Sequence, residues 1–456
     1  MRAFNCAVVA MLIAVVFFQA AAAESAAGPP MGWNSWDAYG LTIDEAQFKA
    51  NATVLAGLKS LGWRYAVIDE GWYMADPSGA KLADRHYQLD EHGLLIPDRR
   101  RFPSMREGEG FKALANWTHA QGLLFGIHIV RGIPKEAVEK NLPLGLGGFT
   151  ARDAADVGET CPWDDGNFGV KDTAAGQAYY DLMLKQYADW GLDYIKVDCI
   201  SDHPYRGSEI RQIADAIGKT GRRIVLSLSP GPTQLAHAAE VSRYAQMWRT
   251  SDDVWDGWTF PHPKPGSEFP MGVGDAFARL ALWAPYVRSG HWPDADMLPF
   301  GVLAPSPGWG RARQSRLTHD EERSQFLLWC IPRSPLVLGG NLTRLDEFTR
   351  ALVSNAELIA LDQSSLGSRP LSNLPPGMEK LTVWVSRLPA PEGSRQVIAI
   401  FNRDNEPATV HAAWTQLGMD TPKHTAHDLF GGKLQAASEG IEVRIPPHGA
   451  VAYQVE

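Results

Sequence analysis

Acidic residues recur at or just beyond the C-terminal ends of short apolar runs: Asp69 and Glu70, Asp198, Asp252 and Asp253, and Asp294 with Asp296. Trp36, His128, Lys196, Ser229 and Arg249 occupy the same kind of position. Several carboxylates round one mouth suit two chemistries, a divalent metal site or glycoside cleavage. A retaining glycosidase needs two carboxyl groups about 5–5.5 Å apart, one ionised to attack the anomeric carbon and one protonated for the leaving oxygen. Lys196 precedes Asp198 by two residues on one strand face, and its charge favours the ionised form of that acid. Asp253 follows the sixth run on a loop able to reach a glycosidic oxygen, with Asp252 as its competitor. Taken singly, a strand-end Asp is more often a helix N-cap or a loop salt bridge. Their recurrence on so many runs points to a site.

A metal-dependent lyase or isomerase would use Asp69, Glu70, Asp198 and Asp296 as oxygen ligands. Lys196 and Arg249 in the same mouth would repel the ion, so no metal and no cofactor is expected, and activity should survive EDTA. The Cys/His spacing of a zinc site is missing, as is any Ser, His and Asp triad by position. A non-catalytic sugar-binding protein would lack Asp198 or Asp253, and both are present.

These residues need a frame that brings strand ends together. Eight strand candidates run from Met31–Trp36 through Tyr65–Glu70, Leu123–Ile129, Tyr194–Asp198, Ile224–Ser229, Gln246–Thr250 and His291–Met297 to Pro335–Gly339. Helical segments such as Glu45–Leu61, Phe111–Ala120 and Ala174–Trp190 separate them. In the last, Tyr180, Met183, Leu184 and Tyr187 recur at the spacing of one buried helix face. Eight βα units over some 300 residues predict an α/β fold, a (β/α)8 TIM barrel whose site lies at the strand C-termini. Residues 351–363 read as the closing helix. Beyond Asn373-Leu-Pro-Pro-Gly377 the texture changes to short strands between turn signals, which predicts a small C-terminal antiparallel β-sandwich. The expected division is a signal peptide at 1–23, the catalytic barrel at 24–370 and the sandwich at 371–456.

Arg2, the apolar run from Ala7 to Phe18 and the small residues Ala21 to Ala23 have the layout of a cleaved secretory leader. The run is too short for the roughly 20 residues that span a bilayer. The expectation is a secreted or periplasmic protein with no membrane contact after cleavage. A net charge of −9 excludes an electrostatic footprint for nucleic acid, so the expected partner is a neutral carbohydrate. Oligomeric state is not encoded in any motif. Export makes a cysteine pair plausible. Cys330 lies in the apolar run Phe326 to Trp329 and reads as a buried thiol, which leaves Cys161 and Cys199 to pair.

Four stretches, Pro30-Met-Gly-Trp-Asn-Ser-Trp36, Tyr194-Ile-Lys-Val-Asp-Cys199, Trp248-Arg-Thr-Ser-Asp-Asp253 and Trp292-Pro-Asp-Ala-Asp-Met-Leu298, together resemble glycoside hydrolase family 27. Their order is far more specific than any one of them, and the resemblance runs from residue 30 to the Leu-Ile-Ala-Leu-Asp-Gln363 segment. It implies Asp198 as nucleophile and Asp253 as acid/base. It also implies sugar contacts at Trp36 or Trp33, Asp69, Glu70, Lys196, Arg249 and Asp296, with His128 and Ser229 on the pocket wall. The same resemblance pins the nucleophile strand through Cys161–Cys199. Activities in the family include α-galactosidase, α-N-acetylgalactosaminidase, β-L-arabinopyranosidase and isomalto-dextranase.

The pattern departs from the family in three places. Many of its α-galactosidases carry Asp-Asp-Cys-Trp where this chain has Asp69-Glu70-Gly71-Trp72, and the second Asp there sits beside the galactose C6 hydroxymethyl. Glutamate is one methylene longer and would fill that space, and L-arabinopyranose is the galactose ring without C6. His128 replaces a common Tyr, and Ser227-Leu-Ser-Pro230 replaces Cys-Glu-Trp-Pro. Release of terminal α-D-galactose is expected first, on the frequency of that activity, with β-L-arabinopyranosidase and then isomalto-dextranase activity as alternatives. The long loop from Val130 to about Asp172 is expected to shape aglycone subsites. Trp255 and Trp258 are expected to anchor their loop, with Trp36 the tryptophan most suited to stack on a sugar.

Overall fold

The computed structural model describes residues 28–77, 86–262, 268–306, 309–391, 393–419 and 423–456. The expected leader at 1–23 lies outside the described residues. Among the described residues no helix is long and apolar enough to cross a membrane.

Eight parallel strands form one curled sheet: β1 Met31–Asn34, β2 Tyr65–Ile68, β3 Leu124–Val130, β4 Tyr194–Asp198, β5 Val225–Leu228, β6 Met247–Arg249, β7 Trp292–Asp294 and β8 Leu336–Leu338. Strands β1 to β7 pair successively in chain order, and β8 pairs with β1. A parallel bridge between Leu298 and Leu338 closes the ring beyond β7. Every expected strand is present, but the structural strands are shorter at the C-terminal end of most. The backbone leaves the ladder there to turn polar side chains into the mouth. Trp36, for example, opens a short helix, Trp36–Tyr39, instead of ending β1.

The helices outside the barrel are α1 Glu45–Ala56, α2 Lys112–Ala120, α3 Ala174–Trp190, α4 Gly207–Thr220, α5 Ala238–Tyr244, α6 Val273–Trp283 and α7 His319–Cys330. The start of α1 is fixed by a capping box, in which Asp44 accepts from the Gln47 backbone N–H and the Gln47 side chain returns to Asp44. Tyr180, Met183, Leu184 and Tyr187 of α3 are all buried, as their spacing requires. One correction concerns residues 351–363, which form no single helix. They divide between α8 Glu347–Val353 and α9 Ala356–Ser364, because Asn355 accepts from the Glu357 and Leu358 N–H groups and starts a new helix.

The C-terminal region holds β9 Leu366–Pro370, β10 Leu381–Ala390, β11 Gly393–Asn402, β12 Ala408–Ala413, β13 His424–Asp428, β14 Leu434–Ser438, β15 Gly440–Ile445 and β16 Ala450–Val455. Six make one antiparallel sheet in the order β9-β10-β11-β16-β13-β14, and β12 pairs with β15. Strand periodicity explains how this sheet serves two cores. Val397, Ala399 and Phe401 of β11 join the barrel core, while Ile398 and Ile400 face the sandwich interior with Val410 and Ile445. The junction also carries polar ties. His448 Nδ1 lies 2.7 Å from Glu321 Oε1 on α7, and its ring stacks on Trp258 at 4.2 Å.

Candidate active site

A cavity of about 440 Å³ opens at the C-terminal end of the barrel strands. Trp36, Asp69, Glu70, His128, Lys196, Asp198, Ser229 and Asp253 all line it, joined by Trp163, Asp164, His203 and Asp252. Eight expected residues therefore converge, although they come from six different strand ends. Arg249 and Asp296 stand in a smaller pocket that adjoins it, with Lys196, Ser229 and Asp294. Trp33 is the core residue of the two tryptophan candidates, fully buried with its indole N–H donated to the Gly340 carbonyl.

On the β2–β4 side the acids are surrounded by donors. Asp69 Oδ2 accepts from Asn34 Nδ2 at 2.6 Å and from Lys196 Nζ at 3.0 Å, and Asp69 Oδ1 accepts from the Glu70 N–H at 2.9 Å. Burial alone would favour its protonated form. The nearby His128 and Lys196, with these hydrogen bonds, instead hold it well below the usual carboxylate range. Asp198 behaves alike: burial opposes its charge, but His128, Lys196 and the Cys199 N–H together keep it low. His128 Nε2 stands 3.6 Å from Asp198 Oδ2 and 4.0 Å from Asp69 Oδ1, so one imidazole serves both.

Local backbone geometry aims Asp198. Cys199 adopts φ 61°, a left-handed conformation unusual for a side-chain-bearing residue. That turn brings the Cys199 N–H within 2.7 Å of Asp198 Oδ1. Two ties hold the turn. The Cys161–Cys199 disulfide, expected from the sequence, joins it to the β3–α3 loop. From below, Arg131 Nε donates to the Cys199 carbonyl at 2.7 Å, and Glu209 holds Arg131 Nη1 at 2.8 Å. Cys330 is the buried free thiol.

The β6–β7 side has a different character. Arg249 is buried and divides its guanidinium between Asp253, at 3.2 Å, and Asp296, at 2.8 Å. Asp296 Oδ2 also accepts from the Val254 N–H at 2.7 Å, tying the acidic loop to the end of β7. Burial pushes Asp296 up to about 7 against the pull of Arg249, with Asp253 and Asp294 adding to the rise. Asp252 rises to about 6, through burial and then repulsion from Asp253. A second clamp lies three residues beyond Asp253. Fully buried Asp256 accepts from Arg313 at 2.6 and 2.8 Å and from Arg316 at 3.0 and 3.1 Å. Both arginines also lie over the Trp309 ring.

The β3–α3 loop was expected to shape subsites, but sequence reasoning singled out none of its residues as lining the cavity. It holds two short helices and a three-stranded antiparallel sheet made of Ile133–Pro134, Ala155–Thr160 and Asn167–Val170. Between the last two strands it sends Trp163 and Asp164 into the cavity, and Trp163 Nε1 is 3.4 Å from Asp198 Oδ2. The one available signal was adjacency to Cys161, whose disulfide forces this segment against β4. His203, in edge contact with Trp163, had no sequence signal. Trp255 and Trp258 are loop anchors, as expected: Trp255 packs on Trp309, and Trp258 on Phe277 and His448. Among the described residues no group of three or more His, Cys, Asp or Glu is arranged to hold a metal ion.

Residues 163–364 match the family model described as alpha galactosidase A, and residues 379–455 match that of the alpha galactosidase C-terminal beta sandwich domain. The chain is 38% identical to a solved β-L-arabinopyranosidase of Geobacillus stearothermophilus, with a TM-score of 0.87 over 95% of this chain and 97% of that one. It is 28% identical over 443 residues to alpha-galactosidase A of Cellvibrio japonicus, covering 94% of this chain and 91% of the relative. An alpha-galactosidase of Oryza sativa is 27% identical over 432 residues, covering 93% and 84%.

Proposed function

The chain belongs to glycoside hydrolase family 27 and is a glycosidase, and we propose that it releases terminal β-L-arabinopyranose in preference to α-D-galactose by a double displacement. In this reading Asp198 attacks the anomeric carbon while Asp253 protonates the leaving oxygen. Asp253 then deprotonates a water that frees the sugar from Asp198, with retention of configuration. The ionised state of Asp198 supports a nucleophile. In the opposite corner of the cavity, burial and then the charge of Asp253 push Asp252 up to about 6, so this acidic loop holds a proton below that pH, where it can serve acid catalysis. Asp69 and Lys196 would bind sugar hydroxyls, and Trp36 would pack on the apolar ring face.

The observation that carries the sugar preference is Glu70, buried on the wall of the same cavity as Asp198 and Asp253. A carboxylate one methylene longer than aspartate fills the volume a C6 hydroxymethyl needs, and arabinopyranose has none. The 38% identity to an arabinopyranosidase supports the same preference. The second reading, α-galactosidase, draws on the curated relatives at 27–28% identity. The test is hydrolysis of nitrophenyl β-L-arabinopyranoside and α-D-galactopyranoside by the wild type and Glu70→Asp. The wild type should favour the arabinoside, and Glu70→Asp should raise the galactoside-to-arabinoside ratio about tenfold or more. An unchanged ratio removes Glu70 from the preference. The leader expected at 1–23 and the disulfide support action outside the cytoplasm.

A further inference from the structure

Asp164 reaches the cavity from the β3–α3 loop, is 2% exposed, and lies within hydrogen-bonding reach of the Glu70 side chain. Its Oδ1 is saturated by the Tyr87 hydroxyl at 3.0 Å and the Gly166 N–H at 2.9 Å. Its Oδ2 has no N–H or O–H donor among the described residues. Two buried carboxyl groups cannot both stay charged at such range, and an unsatisfied buried oxygen is costly. A single proton between them resolves both problems, because a carboxylic acid donates where a carboxylate only accepts.

We propose that Asp164 is a positioning residue for sugar selectivity, holding the Glu70 carboxyl through one shared proton so that it stays against the wall a hydroxymethyl group would occupy. This rests on the reading of Glu70 given above. A lone glutamate has three rotatable bonds and could swing aside to admit C6. Fixed at one end by Asp164, which Tyr87 and Gly166 fix in turn, it keeps one orientation. Burial, then Asp164, then the charges of Asp198 and Asp69 all move Glu70 in the direction of keeping a proton. The other titratable or charged groups facing it are Tyr73, His128 and Lys196.

The experiment compares wild type, Asp164→Ala, Asp164→Asn, Glu70→Asp and the double variant Glu70→Asp/Asp164→Ala. The first readout is the ratio of kcat/KM for the two nitrophenyl glycosides. The second is calorimetric binding of L-arabinose and D-galactose as a function of pH, which involves no chemistry. Asp164→Ala should free Glu70 and raise the galactoside-to-arabinoside ratio about tenfold, with no further rise when added to Glu70→Asp. Asparagine can donate its amide N–H to an ionised Glu70, so Asp164→Asn should keep the ratio near that of wild type. In wild type, arabinose binding should weaken as pH rises and the shared proton leaves, and Asp164→Asn should lose that dependence. A ratio unmoved by Asp164→Ala, or an equal fall on both sugars, would overturn the proposal. So would an alkaline weakening that persists in Asp164→Asn, since it would then belong to His128 or another facing group. If Asp164→Ala does not accumulate, the binding curves of Asp164→Asn decide alone. Should the wild type favour the galactoside, the arabinopyranosidase reading fails, while the change between variants still reports on Asp164.

Discussion

The β2–β4 side of the cavity and the β6–β7 side are built from the same kind of side chain and reach opposite states. Asp69 and Asp198 are buried yet held ionised, because Lys196, His128, Asn34 and two backbone N–H groups converge on them. Asp252 and Asp296 are also largely buried, but Arg249 is shared among several acids, and they rise to about 6 and 7. What differs is the number of donors per carboxylate. Whether an aspartate of this cavity holds or gives up its proton is therefore a property of its neighbours, not of aspartate itself. The two sides are also anchored differently. Asp198 ends a barrel strand locked by a disulfide, whereas Asp253 sits on a loop held by the Arg249 and Asp256 clamps.

The contrast can be broken most severely at Asp198. Replacing it with Ala should reduce turnover of every glycoside to background with the fold intact, as circular dichroism and thermal melting would report; substantial residual rate would refute the nucleophile assignment. Asp253→Ala should cost about 10²–10⁴-fold on poorly activated glycosides. It should cost far less in the first step of a dinitrophenyl glycoside, whose leaving group needs no proton. An equal loss on both substrates would mean that Asp253 is not the acid. Asp256→Asn tests the loop clamp. Two arginines would lose their charged partner, the loop carrying Asp253 would loosen, and kcat should fall by up to about 10²-fold with KM changed less. A loss confined to stability would make the clamp merely structural. The smallest effect is expected from Asp252→Asn, which removes one negative charge beside Asp253. With less repulsion to retain the catalytic proton, the basic limb of the kcat/KM profile should move to lower pH by on the order of one unit. A shift to higher pH would reverse the reading of that corner.

Much of this arrangement is legible before any folding is considered. Strand-end acids are readable because strands alternate faces and a closed parallel barrel collects their C-termini. On that basis Asp69, Lys196, Asp198 and Asp253 reach one cavity. The disulfide follows from setting aside Cys6 in the expected leader and, of the three remaining cysteines, the one in an apolar helix. The shortening of the strands and the split between α8 and α9 are less legible, since a single cap at Asn355 overrides a continuous apolar pattern. Trp163 and Asp164 are legible only through their nearness to Cys161 in sequence. They lie between two short strands of a loop excursion, where no periodicity ties a side chain to the mouth.

Sequence alone settled the catalogue: a ring of βα units, carboxylates at its rim, and a small antiparallel sandwich after it. Only the tertiary structure decided which acids keep their protons and which residue stands behind Glu70. Periodicity is a local property that a short stretch of chain carries within itself. Charge state depends on distance through space and on exclusion of water, and both are set by segments that the chain brings together only when the barrel closes.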